Sequence, residues 1–144
     1  MNQVAATKVA LATPPAAIVD NAAVVTAAID TLGFRRLTIF LIIGAIDIAP
    51  ASSSIRQSDA SNMGSPSNIA VGGTNYDLAT AADSDNETHI FEIDLKGKKR
   101  YIDFEITGGD GSAGGYFVVF ALLSNGEQRP YTAAQRGAEQ VKHF

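Results

Sequence analysis

Cysteine is absent from the 144 residues. That excludes disulfides, thiolate zinc sites, iron–sulfur clusters and thiol nucleophiles. Only two histidines occur, His89 and His143, which leaves little for imidazole-based metal binding or proton transfer. Tryptophan is also missing, and the four tyrosines are scattered. A carbohydrate-binding sandwich would want exposed Trp or Tyr platforms, so that reading is disfavoured. No G-x-S-x-G or H-E-x-x-H pattern occurs. No run is long enough to span a bilayer. The longest apolar stretch, Ile39 to Ile46, falls far short of the roughly 20 residues required. The net charge of −4 argues against nucleic acid as the main partner. The Ala-rich N-terminus carries one early cation, Lys8, but breaks at Pro14-Pro15 before any compact apolar core of a leader forms. The expectation is an intracellularly made protein that is not an enzyme and needs no metal or cofactor.

What is present is a modest core. Hydrophobic residues make up 46% of the chain, but Ala supplies 23 of them. No repeat of 20–50 residues occurs, which excludes a solenoid. The length suits one domain. We read residues 1–15 as an N-terminal arm or poorly packed edge strand, 16–124 as the core and 125–144 as a C-terminal arm. The segment 16–32 is ambiguous. Ile18, Ala22, Val25, Ile29 and Leu32 recur at helical spacing, whereas Val24-Val25-Thr26 and the turn-prone Asp20-Asn21 favour two short strands. Arg35 to Ile46 is a long β run, apolar on both faces, as a covered central strand would be. Ser52 to Ser58 is a polar strand with Ile55 as its one large apolar residue. Residues 59–87 read as a long loop with one or two short strands.

The clearest signals are two period-2 segments. Phe91, Ile93 and Leu95 alternate with Glu92 and Asp94. Ile102, Phe104 and Ile106 alternate with Tyr101, Asp103 and Glu105. Lys96-Gly97-Lys98-Lys99 joins them as a tight hairpin turn, which predicts one shared core for the six apolar residues. Tyr116 to Leu123 is a further strand. Thr132-Ala133-Ala134-Gln135 matches a capping box, with Gly137 placed to close a single helical turn. Many short strands between turn signals predict an all-β antiparallel sandwich or barrel.

Candidate chemistry is sparse. Gly109-Asp110-Gly111-Ser112-Ala113-Gly114 has the spacing G-x-G-x-x-G, but a strand follows where a phosphate site needs a helix. It reads as a flexible β–β loop. Asp83, Asp85 and Glu87 alternate like calcium ligands, yet Thr88 and Asp94 occupy positions where an EF-hand needs Gly and Glu. Asn86-Glu87-Thr88 is a sequon, unused without a secretory route. Lys96, Lys98, Lys99 and Arg100 form a basic cluster whose ordinary roles are solvation and pairing with acidic neighbours. Asp103 and Glu105 point the same way, as a glycosidase pair would, though the solvent face of an alternating strand explains them.

The order of short motifs resembles one group of proteins. Ala17-Ile18-Val19-Asp20-Asn21-Ala22, Ala28-Ile29-Asp30-Thr31-Leu32-Gly33-Phe34 and Gly44-Ala45-Ile46-Asp47-Ile48-Ala49 come first. Gln57-Ser58-Asp59, Asp94-Leu95-Lys96-Gly97-Lys98-Lys99-Arg100-Tyr101 and the Thr107–Gly114 stretch follow, then Ala121-Leu122-Leu123-Ser124, Gln128-Arg129-Pro130 and Thr132-Ala133-Ala134-Gln135-Arg136-Gly137. This wording, spread over nearly the whole chain except 60–82, resembles the capsid cement (decoration) proteins of tailed bacteriophages. The resemblance implies a β-sandwich, jelly-roll-like, with extended N- and C-terminal arms. It favours strands for 16–32. It implies a non-enzymatic virion protein that sits on the capsid surface, made in the bacterial host cytoplasm. Its partners would be the major capsid protein and neighbouring copies of itself, as a homo-oligomer, with no direct nucleic acid and no membrane. A head-fibre base, connector or tail component is the alternative. Within the tail, Arg129, Pro130, Tyr131, Arg136 and Phe144 are the candidate partner-binding residues, because Arg and aromatics dominate binding hot spots.

Overall fold

The computed structural model describes residues 7–13, 18–71, 74–75, 85–127 and 132–142. Among the described residues eleven strands follow one another: β1 (Lys8–Thr13), β2 (Ala23–Val25), β3 (Ile29–Asp30), β4 (Arg36–Ile46), β5 (Ser52–Ser58), β6 (Ser67–Asn68), β7 (Ala70–Val71), β8 (Thr74–Asn75), β9 (Thr88–Asp94), β10 (Tyr101–Thr107) and β11 (Gly115–Ser124). A 3₁₀ turn, Ala134–Arg136, comes last. The segment 16–32 is therefore β where described: β2 and β3 both pair with β10. Between them Thr26 keeps the ladder, since its N–H donates to the Phe104 carbonyl and its hydroxyl accepts from the Phe104 N–H. Helical spacing in 18–32 was fortuitous, and β-branched propensity with partner strands prevailed.

Alternation in β4 sets the layering. Leu37, Ile39, Leu41 and Ile43 are buried inward, while Phe40 and Ile42 face out. In β11, Phe117, Val119, Ala121 and Leu123 point the same way into the core. One sheet runs β1-β11-β4-β9, and the other β2-β10-β5-β6 with β3 also on β10. Every pairing is antiparallel. The second sheet adds Ile29, Ile55, Ile102, Phe104 and Ile106, so the two inner faces make one dry core.

The topology is a jelly roll. Count β2 and β3 as one interrupted strand and set aside the β7–β8 hairpin; eight strands remain. The first pairs the eighth (β1–β11), the second the seventh (β2/β3–β10), the third the sixth (β4–β9) and the fourth the fifth (β5–β6). This is one long antiparallel hairpin rolled up until β4 meets β11 and β5 meets β10.

Two sequence expectations change here, and a third is narrowed. Residues 96–99 do not close a hairpin. β9 pairs with β4 and β10 with β5, so the turn carries the chain from one sheet to the other. The six alternating residues still meet in one core, but across the sandwich; Phe91 and Phe104 stack at 5.8 Å between centroids. The outer face of β4 is only partly covered, because Ile42 remains 42% exposed. The segment 1–15 contains β1, the edge strand of the two readings, hydrogen-bonded to β11 from Lys8 to Thr13.

Candidate functional site

The glycine-rich loop already holds an anion, and the anion is the protein's own. Ser112 N–H donates to Asp47 Oδ2 at 2.5 Å, and Ala113 N–H donates to the same oxygen at 2.6 Å. Gly111 N–H donates to Asp20 Oδ1 at 3.2 Å. A Cβ at Gly111 would lie 2.3 Å from Asp47 Oδ2, so glycine is required for this approach. The loop is a pinned connection between β10 and β11 rather than a flexible one. Its amides hold the Asp47 carboxyl below its ordinary 3.8, the Ala113 bond contributing most. A carboxylate so depressed supports the fold above the ordinary value, and its contribution fades as pH falls through the lowered one. We expect Asp47→Ala to abolish hydrogen-exchange protection of the Ser112 and Ala113 amides at neutral pH. Acidification through the lowered value, below the ordinary 3.8, should do the same in the unmutated protein, after correction for intrinsic rates.

The acidic pair on β10 is not on a solvent face. Asp103 is 1% exposed, although it points outward from the second sheet. Register explains the burial. Asp103 lies directly opposite Arg56 on β5. The guanidinium grips it with two bonds, Nε to Oδ1 at 2.9 Å and Nη2 to Oδ2 at 2.7 Å. Arg56 Nη1 donates diagonally to Glu105 Oε2. Val25, Thr26, Ala28, residues 61–63 and Pro66 line a cleft of about 390 Å³ together with Arg56 and Asp103. Both carboxylates bind one arginine, so neither is arranged as an acid and nucleophile flanking a scissile bond. Arg56 was missed from the sequence. Its signal, a lone cation in a polar strand, acquires meaning only through the β5–β10 register.

The basic cluster divides. Arg100 forms a bidentate pair with Asp30, at 2.8 and 2.7 Å, and lies over the Tyr101 ring at 5.1 Å. That hydrogen bond holds Asp30 below its ordinary value. Lys99 reaches Asp59 at 3.5 Å. Lys96 and Lys98 are exposed on the turn. The acidic neighbours expected for half of this cluster are thus present.

Of the calcium-like triplet, Asp83 lies outside the described residues. Asp85 Oδ1 accepts from the Ile46 N–H at 2.8 Å, and Glu87 Oε2 lies 3.3 Å from His89 Nε2. Among the described residues no group of three or more metal-ligating side chains converges. Melting curves in EDTA and in millimolar calcium should superimpose; a shift of several degrees would reveal a bound ion.

In the tail, the capping box forms as read. Gln135 N–H donates to Thr132 Oγ1 and Thr132 N–H to Gln135 Oε1, each at 3.1 Å. Gly137 closes the turn at φ +67°. Arg136 is buried at 8% exposed, within a groove also lined by Val9, Phe120 and Leu122. Arg129, Pro130, Tyr131 and Phe144 lie outside the described residues.

These features define an all-β protein, an antiparallel jelly-roll sandwich whose most prominent ionic groups bond to one another across strands and loops. Its fold is similar to that in the crystal structure of the PBSX exported protein XepA, with a TM-score of 0.54 and 15% identity over 100% of this chain. The chain spans 44% of that protein's length. No family model matches the sequence, and no curated protein matches it.

Proposed function

We propose that the protein is a structural component of a tailed-phage virion that binds the outer capsid surface and stabilises the shell by bridging major capsid protein subunits. The observation that carries the reading is a whole-chain fold likeness to XepA, a PBSX phage exported protein. The ordered motifs of phage cement proteins agree with it. A jelly roll with cross-strand ion pairs and a pinned loop suits a rigid cement. A shell multiplies weak contacts, so modest interfaces suffice through avidity. The partners are major capsid protein and further copies of this chain, and the protein works without catalysis. Arg129, Pro130, Tyr131 and Phe144 supply contacts of the hot-spot type. Arg136, the fifth candidate, lies buried in the groove beside Val9, Phe120 and Leu122. A head-fibre base, connector or tail component is the rival position.

Phage lacking the protein should still form capsids, which open at lower temperature than the parent particles. Adding purified protein should restore the opening temperature and give density on the shell exterior by cryo-electron microscopy. Failure of shells to form, or a copy number far below that of the shell subunits, would refute the cement role.

A further inference from the structure

Three of the four edges of the two main sheets are blunted in the ways that discourage pairing with other chains. β6 has two residues. β2 and β3 are separate short pieces of one edge. β1 has an irregular register between Val9 and Leu11, and the C-terminal turn packs so closely that a Cβ on Gly137 would lie 2.0 Å from the Val9 carbonyl oxygen. β9 has none of these features. Its seven residues pair with β4 in unbroken register from Arg36↔Asp94 to Ile42↔Thr88, with no Pro, Gly or bulge. No described strand lies on its other side.

The ladder shows which groups face that open side. Leu95 N–H donates to the Arg35 carbonyl at 3.1 Å, and Ile43 N–H donates to the Glu87 carbonyl at 2.9 Å. Residues 87, 89, 91, 93 and 95 therefore bond to β4, and the main chain of Thr88, Ile90, Glu92 and Asp94 is directed away. The side chains of these four residues are also exposed, and Ile90 is 58% exposed beside Phe40, its partner in the register. Glu92 is held only loosely, 3.9 Å from Arg36 with both side chains at least half exposed. The edge thus offers a row of main-chain groups, one apolar contact and two carboxylates. A second copy would bring the same carboxylates to the pairing, which disfavours self-association.

We propose that β9 accepts an extended segment of a partner protein, added antiparallel. That segment carries an apolar or β-branched residue opposite Ile90 and Lys or Arg opposite Glu92 and Asp94. Main-chain bonds would supply affinity, and the alternating side chains specificity. The inference does not depend on the capsid reading, because it concerns the edge alone and can be tested with the isolated chain.

The test uses a displayed library of fully randomised heptapeptides, selected against the full chain. Enriched sequences should place basic residues two apart, next in alternation to an apolar one. A synthesised winner should slow hydrogen exchange at the Ile90 and Glu92 amides by about tenfold or more. Ile90→Pro removes an outward N–H that makes no bond to β4, so it should retain the fold and lose binding by a similar factor. Should Ile90→Pro fail to fold, Glu92→Lys decides, since it alters only an exposed side chain and should likewise weaken binding. Selection that yields no such alternation, equal binding to Glu92→Lys, or protection confined to other strands overturns the proposal. So does self-association that Ile90→Pro disperses, because the edge would then serve a second copy.

Discussion

Phe104→Ala should destabilise the protein by about 3–5 kcal/mol and lower its melting temperature by roughly ten degrees or more. Phe104 is fully buried, and its ring stacks on Phe91 from the opposite sheet. Truncation leaves a cavity at the centre of the sandwich. The neighbouring Ile102 and Ile106 cannot close it, because each occupies its own position along β10 with no exposure. The main chain should hold, since both Phe104 backbone groups bond to Thr26, whatever the side chain. Phe120→Ala is the control. That ring sits on the outer face of the other sheet, half-buried, 6.0 Å from Phe40. Its loss should cost distinctly less. Calorimetry of the two variants distinguishes the faces; an unchanged melting temperature for Phe104→Ala would mean that β10 faces the other way.

Arg56→Ala should be about as damaging, by roughly 3–5 kcal/mol, for the opposite reason. It creates little cavity but strands the Asp103 carboxylate without its two guanidinium bonds at 1% exposure. An unpaired buried charge costs far more than the pair contributes. The double variant Arg56→Met with Asp103→Leu should therefore recover much of the loss. Chemical denaturation of the single and double variants checks this. Additive losses would show that Asp103 does not depend on Arg56.

These two sites also show what the sequence could reveal. Alternation correctly assigned Phe91, Ile93, Leu95, Ile102, Phe104 and Ile106 to one core, because side-chain period fixes the face a residue uses. It could not assign the sheet. Gly97 at φ +73° permits a sharp reversal whether the chain returns beside itself or crosses the sandwich, so residues 96–99 look the same in both cases. Asp103 failed for a related reason. Its outward direction was legible, but its pairing depends on Arg56, which the register of another strand places opposite it. Asp47 was passed over because a carboxylate just after a strand has no local signature. Its role depends on amides more than 60 residues away. Local features fared better: Thr132 and Gln135 are three apart, and their reciprocal bonds formed as read.

The rolled hairpin has a consequence for how the molecule comes into being. Its outermost pairing joins Lys8 to Leu123, so β1 has no partner in its sheet until β11, more than 100 residues later, has been made. Among the described strands of the two main sheets, β5 and β6 can meet first, with Gln57 opposite Ser67. Each wider pairing must close a longer loop, with an entropic cost that grows as the logarithm of loop length. Assembly should therefore proceed from the chain's midpoint outward. Folding should run on the slow millisecond-to-second scale of β proteins dominated by distant contacts.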